Sequence, residues 1–184
     1  LMSFRSAKST IKLSQQDLAF VGNIYWKAGM SEIGQAVARG VDVYVVLSDR
    51  GSKGGSNTYS NVSMEKTANA LKKYVAAATK KSGPGVKNLL CNKMHLTTLR
   101  FGPSDKWKNG GTFANHAKFI MVDDAVFYVG SSNMYSSDLQ EYGVFIDDPS
   151  AVAQMKTEYY DKLWHYSKRA AISGKGVSSC YYKN

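Results

Sequence analysis

The stretch from Asn115 to Asn133, NHAKFIMVDDAVFYVGSSN, leaves few choices for the fold around it. Phe119 to Val122 is a continuous apolar run, the mark of a strand buried on both faces. Asp123-Asp124 is a two-residue turn signal, and Ala125 to Val129 is a second apolar strand returning beside the first. His116 and Lys118 are two apart, so on an extended chain they share a face. A two-residue turn pairs Val122 with Ala125 and, in the same register, sets His116 opposite Ser131. Ser131 and Asn133 again share a face. An imidazole, an ammonium, a hydroxyl and a carboxamide therefore gather at one end of an apolar hairpin, an arrangement that a slip of one residue would break.

The pattern His116-x-Lys118, Asp123, Gly130-Ser131-x-Asn133 resembles the HKD signature of the phospholipase D superfamily at every position. Ser14-Gln15-Gln16-Asp17-Leu18, Asp138-Leu139-Gln140-Glu141-Tyr142-Gly143 and the late Cys180 extend the resemblance over nearly the whole chain, to the C-terminal half of secreted bacterial phospholipase D. Those enzymes carry two HKD motifs. This sequence carries one, since neither His95 nor His165 has a lysine two residues on.

The resemblance implies phosphodiester cleavage by two histidines from two half-sites. One attacks phosphorus to give a phosphohistidine; the other protonates the leaving alcohol and then activates water or a second alcohol. The C-terminal histidine takes the acid/base role in such enzymes, which assigns that role to His116. The residue chemistry suits the task, because an imidazole with a pKa of about 6.5 exchanges protons near neutrality. Lys118 supplies charge, and Ser131 and Asn133 hydrogen bonds, to the non-bridging phosphate oxygens. Glu141 stands where the family places an acidic residue and is expected to fix the tautomer of His116. Asp123 is read as structural, holding the turn, with Gly130 part of the motif frame. Tyr59 matches a family position lining the headgroup pocket, local packing being the alternative. Trp107 either frames the entrance or staples its own loop. His95 and His165 are read as structural. With no HExxH, no EF-hand loop and no clustered Asp/Glu/His set, neither metal nor other cofactor is expected.

At 184 residues the chain is one domain's worth, read as a single HKD-containing half-domain over 1–184. The net charge of +10 favours anionic partners, or simply keeps a lysine-rich surface solvated. Charge alone does not separate lipid from nucleic acid; the resemblance favours a phospholipid at a membrane surface over nucleic acid. No apolar run approaches the ~20 residues of a membrane span. The start at Leu1 lacks a signal-peptide core, so a secreted protein with its natural start upstream is expected. Cys91 and Cys180 allow one intramolecular pairing and do not form a zinc pattern. They are bridged or are two buried thiols; the resemblance to secreted enzymes implies the bridge, closing a loop of about 90 residues.

Along the chain, Thr10 to Leu13 reads as a short strand, while residues 20–30 fit strand or helix. Ser31 to Arg39 reads as a helix with Ser31 as N-cap and Gly40 as its stop, followed by a strand from Val41 to Leu47. A helix and then a strand of this kind suggest a parallel crossover. Asp49 to Val62 is a Gly/Ser loop. Ser63 to Ala78 is an amphipathic helix with Met64, Ala68, Leu71, Val75 and Ala78 on its apolar stripe, ended by Ser82-Gly83-Pro84-Gly85. Strands are expected over His95–Phe101 and Tyr142–Ile146. The last helix opens with Asp148 as N-cap and Pro149 at its first position, burying Val152, Met155, Tyr159 and Leu163. The predicted architecture is α/β, a mixed β-sheet flanked by helices on both faces.

Three functions follow from the resemblance. The leading one is a phospholipase D half-domain that hydrolyses glycerophospholipids such as phosphatidylcholine, or exchanges their headgroups, with the second HKD supplied by another half. The match to a C-terminal half, the Leu1 start and the missing leader favour a separate N-terminal half over a second copy of this chain. Behind it stand a single-HKD homodimeric nuclease of the same superfamily and a non-catalytic lipid-binding or scaffold half-domain.

Overall fold

The computed structural model describes residues 2–18, 24–54, 57–58, 62–134 and 140–182. In chain order the elements are α1 (Met2–Ser6), β1 (Thr10–Gln15), α2 (Ile24–Ala38), β2 (Asp42–Leu47), the short pair β3 (Lys53–Gly54) and β4 (Asn57–Thr58), α3 (Met64–Thr79), α4 (Pro84–Lys93), β5 (Met94–Thr98), β6 (Lys118–Val122), β7 (Val126–Gly130) and β8 (Gly143–Ile146). A final helix follows: α5 (Pro149–Gln154), a π-helical segment (Met155–Tyr160) and α6 (Asp161–Ser167). Six strands form one sheet in the order β5-β2-β1-β6-β7-β8. β1, β2 and β5 run parallel, and the β6, β7 and β8 side is antiparallel, so the sheet is mixed and β1 is the seam. The expected crossover through α2 is present, joining β1 to its parallel neighbour β2.

Strand alternation sends the two faces to two cores. Ile11, Leu13, Val43, Val45 and Leu47 point toward α2, α3 and α4, where Met30, Ile33, Leu71, Val75 and Leu90 complete a fully buried layer. Val46, Phe119, Met121 and Phe127 point the other way, onto Val152, Tyr160 and Leu163 of the last helix. The α/β expectation of helices on both faces holds. α2 and α3 approach closely because Gly34 has no side chain: a Cβ there would stand 2.8 Å from the Tyr74 carbonyl carbon.

Several boundaries differ from the sequence reading for identifiable reasons. α2 begins at Ile24, and Ser31 lies inside it with its hydroxyl accepting from Gln35 Nε2 at 3.4 Å. Burial of Met30, Ile33, Ala36 and Val37 carries the helix through a residue that local propensity marks as a cap. Ser63 does cap α3, accepting from the Lys66 amide at 3.2 Å. The Ser82–Gly85 break hides a start: Gly83 sits at φ 55° and Pro84 opens α4 at its first turn. In the last helix the π segment adds a residue per turn, so Tyr160 becomes the fully buried ring, and Tyr159 stays at the edge of that core with its hydroxyl donating to Ser14 Oγ at 3.0 Å.

The hairpin carries the largest correction. Asp123 and Asp124 both adopt left-handed backbone, φ 54° and 51°, and the Ala125 amide closes the turn onto Val122 O at 3.0 Å. Yet Val122 pairs with Val126, which leaves Ala125 outside the ladder. The register is one residue from that of an ideal two-residue hairpin, so Lys118 falls opposite Gly130 and the expected His116–Ser131 pairing does not form.

The turn is fixed from outside. The Asp123 carboxylate accepts from the amides of Lys8 (2.9 Å), Ser9 (2.7 Å) and Thr10 (2.9 Å) and from the Ser9 hydroxyl (2.9 Å). Asp124 ion-pairs with Lys12, whose ammonium also lies over the Tyr160 ring. At the other end of the chain a disulfide joins Cys91 on α4 to Cys180, 89 residues away. It holds a tail that also bonds the edge of β5 through Ile172 N to Leu96 O, 2.9 Å.

Two outcomes test these fastenings. Because the bridge closes a long loop, Cys91→Ser/Cys180→Ser should lose about 2–4 kcal/mol in denaturant unfolding; an unchanged midpoint would show that the tail docks without it. Burial raises the Asp123 pKa, but the amide hydrogen bonds from Thr10, Ser9 and Lys8 outweigh that and hold it below its ordinary 3.8. Its stabilisation is therefore present above the unfolded value and is lost as pH falls through the folded one. Asn tolerates the positive φ, so Asp123→Asn tests the charge: it should cost about 1–3 kcal/mol at neutral pH, with the gap to wild type closing below about pH 4. A gap independent of pH would remove the carboxylate from that account.

Candidate active site

The approach to β6 is positioned by Asn115, which is 4% exposed. Its side-chain amide donates to Ser14 Oγ on β1 and to Val46 O on β2, both at 3.0 Å, while its own Oδ1 accepts from the Ala117 amide at 3.0 Å. The Ser48 hydroxyl receives the Asn115 amide at 2.7 Å and donates to its carbonyl at 3.0 Å. Five hydrogen bonds thus tie this residue to β1, to β2 and the residue just after it, and to the approach to β6, and His116 is held one residue beyond. The sequence reading gave Asn115 no role; its signal was its place beside His116, together with Ser14 in the SQQDL segment.

His116 itself is exposed, whereas Lys118 is only 9% exposed and donates from Nζ to the His116 carbonyl at 2.8 Å. This bond anchors the ammonium at the same end of the hairpin as the imidazole. Burial lowers the His116 pKa from 6.5, and the charge of Lys118 lowers it further. Burial also lowers the Lys118 pKa, opposed by the charge of Glu141. An imidazole, an ammonium and a carboxylate are therefore electrostatically coupled at the mouth of the β6–β7 hairpin, the imidazole neutral near pH 7.

Ser131 turns toward β8. Its amide donates to Tyr142 O at 2.8 Å, and its hydroxyl accepts from the Tyr142 amide at 3.0 Å and returns a hydrogen bond to Tyr142 O at 3.2 Å. That clamp sets the backbone beside Glu141. Gly130 pairs with Gly143, and the Tyr128 ring fills the space over both glycines, which a Cβ at either position would enter. Asn133 is half-buried three residues after Gly130. Gln15 lies directly across from Lys118 at 1% exposure, a second residue that the sequence reading left without a role.

Trp107 is 50% exposed and packs edge-on against Phe113 at 4.7 Å and tilted against Phe101 at 5.5 Å. Its amide donates to Gly111 O at 2.9 Å, so it closes its own loop. Tyr59 lies outside the described residues. Among the described residues no three His, Cys, Asp or Glu side chains are grouped to hold a metal ion, and no helix is long and apolar enough to cross a membrane.

Residues 2–164 match the family described as cardiolipin synthase, PLD-like domain. A phospholipase D from Streptomyces antibioticus is 34% identical over 177 residues, which is 93% of this chain and 32% of that protein. The chain thus spans about a third of the length of that relative. The structure of NucT from Helicobacter pylori superposes with a TM-score of 0.54 at 18% identity, covering 90% of this chain and 85% of that one, a likeness of fold. Nuc from Salmonella typhimurium, a phospholipase D family member, covers 90% of this chain and 84% of its own at a TM-score of 0.48 and 19% identity. This chain therefore belongs to the PLD-like domain family of the phospholipase D superfamily.

Proposed function

We propose that this chain is one catalytic half of a phospholipase D that cleaves glycerophospholipids such as phosphatidylcholine, with His116 as general acid and base. The coupled His116–Lys118–Glu141 group carries the reading, and the Streptomyces relative named phospholipase D supplies the substrate class. The exposed imidazole meets the diester from solvent, while the largely buried ammonium neutralises charge on a non-bridging oxygen. Arrival of the anionic diester favours the imidazolium, which protonates the leaving alcohol. The neutral form then takes a proton from water, or from a second alcohol in headgroup exchange. Glu141 orients the ring through its far nitrogen, and Asn133 adds a hydrogen bond to phosphate. The Ser131 hydroxyl is already shared with Tyr142, so its part is to hold the site edge as much as to bind substrate.

The nucleophilic histidine comes from elsewhere, because residues 1–184 contain one HxK. β8 is an edge strand beside the site with Tyr142 78%, Val144 47% and Phe145 62% exposed, an apolar strip suited to burial against a second half. A separate HKD half is the favoured occupant, in a secreted enzyme working at a lipid surface.

Two measurements decide this. The isolated chain should be inactive on phosphatidylcholine vesicles and should gain activity when an N-terminal HKD half is added. Activity growing with the square of this chain's own concentration, with nothing added, would establish a homodimer instead. In the assembled enzyme, His116→Ala should lower turnover by about 10²–10⁴-fold, and less for a p-nitrophenol leaving group, which needs no proton. Equal losses for good and poor leaving groups would make His116 the nucleophile; near-normal turnover would remove it from the chemistry.

A further inference from the structure

A polar cavity of about 720 Å³ opens at the far end of the sheet from His116. Thr10, beside Asp42, and Gln15, beside Lys118, mark the two ends of β1, about 17 Å apart at the rise of a strand. The cavity is walled by the starts of β2 and β5, by α6 and by the tail after Ala171. Its inner wall is aromatic: Tyr44 stacks on His95 at 4.1 Å, and Trp164 meets the Tyr44 ring edge-on at 5.0 Å. His95 donates from Nε2 to Asp42 at 3.0 Å, and Lys93 reaches the other Asp42 oxygen at 2.8 Å. Burial lowers the His95 pKa, so the ring adds no charge near neutrality. Lys168 and Lys175 line the same space, and no ion pair to either occurs among the described residues. The one lining carboxylate is already matched by Lys93, which leaves two ammonium groups uncompensated at one opening.

The wall that carries Lys175 is fixed. Ser173 bridges to Leu96 and its hydroxyl donates to Met94 O at 2.7 Å. Gly174 and Gly176 take positive φ, 119° and 88°, and Val177 N closes the turn onto Gly174 O at 3.2 Å, setting Lys175 between them. Gly174 lies against His95 without room for a Cβ, and the Cys91–Cys180 bridge ties down the chain beyond. A lysine-bearing turn locked onto an edge strand thus lines the same cavity as a second exposed lysine and an aromatic wall, a combination suited to an anion.

We propose that this cavity is a second anion site, separate from the His116 site, that binds a phosphomonoester between Lys168 and Lys175. The monoester is either a free one or the headgroup of a lipid, since both offer the same dianion. The aromatic wall then packs against the carbon body that bears it.

The test uses the full 184-residue chain. It is titrated with glycerol 3-phosphate by ¹H–¹⁵N NMR, and cosedimented with phosphatidylcholine vesicles with and without phosphatidic acid. Saturable shifts are expected at the Trp164 indole and the 171–177 amides. Lys168→Glu/Lys175→Glu should weaken binding about tenfold or more, while the equal charge change Lys66→Glu/Lys73→Glu, on exposed positions of α3, should not. Binding of glycerol 3-phosphate identifies a free ligand; retention by phosphatidic acid vesicles alone identifies a headgroup; each supports the site. Absence of saturable shifts at these residues with glycerol 3-phosphate together with no added retention by phosphatidic acid vesicles, or equal weakening by the two charge reversals, overturns it. Shifts near Lys118 report the other site, so failure of the catalytic reading does not touch this result.

Discussion

The Asn115 carboxamide is the contact on which the site's geometry depends. It is buried where the parallel and antiparallel parts of the sheet meet, and it bonds β1, β2 and the approach to β6 at once. A polar group taken out of water costs free energy unless its hydrogen bonds are replaced, so all of these partners must be in place together. The chain therefore cannot enter β6 at a different height without stranding that amide. His116 inherits its position from this constraint, and Lys118 inherits its own through the bond back to the His116 carbonyl. The Asp123 carboxylate does the equivalent at the opposite end of β6, so the strand is pinned at both ends to β1 and its approach.

Much of the fold was legible in the sequence because it rests on local signals reinforced by burial. The runs Val41–Leu47 and Phe119–Val122, the Ser63 cap and the Asp148-Pro149 start are each readable in a few residues. The misreadings share a cause: tertiary packing overruled a local rule. Ser31 reads as a cap, yet it sits mid-helix because the flanking apolar residues have a core to bury in. Ser82–Gly85 reads as a stop, yet it is also the N-terminus of α4, whose Val86 and Leu90 fill the space beneath β5. The hairpin turn was legible, but the unpaired Ala125 was not, because nothing in Asp-Asp-Ala distinguishes a bulged return from a straight one.

That single extra residue reshapes the expected site. In an unbulged hairpin, Ser131 would lie on the face of His116 and Lys118. With Ala125 left out, Ser131 passes to the β8 side and clamps Tyr142, which brings the neighbouring Glu141 into the field of Lys118. The imidazole and ammonium stay together, while the Ser131 hydroxyl is engaged by Tyr142. The glycines at 130 and 143 make this possible: the Tyr128 ring covers both, so β7 and β8 pair closely where side chains would otherwise hold them apart.

The two edges of the sheet are finished differently. At β5 the edge is covered by the tail, through Ile172 N to Leu96 O, the Leu96–Ser173 bridge and the disulfide beyond. At β8 the described residues leave the edge uncovered, and the strand exposes apolar side chains where a solvated edge ordinarily carries charge. An isolated domain gains nothing from such an edge, which invites aggregation. A domain that completes its site against a neighbour gains both the burial and the register, because a strand pairing along β8 is aligned by the same Gly143 and Tyr142 backbone that positions Glu141. On the proposed reading, the position of the acidic residue and the docking of a partner are one structural variable. Loosening the Ser131 clamp would disturb both together.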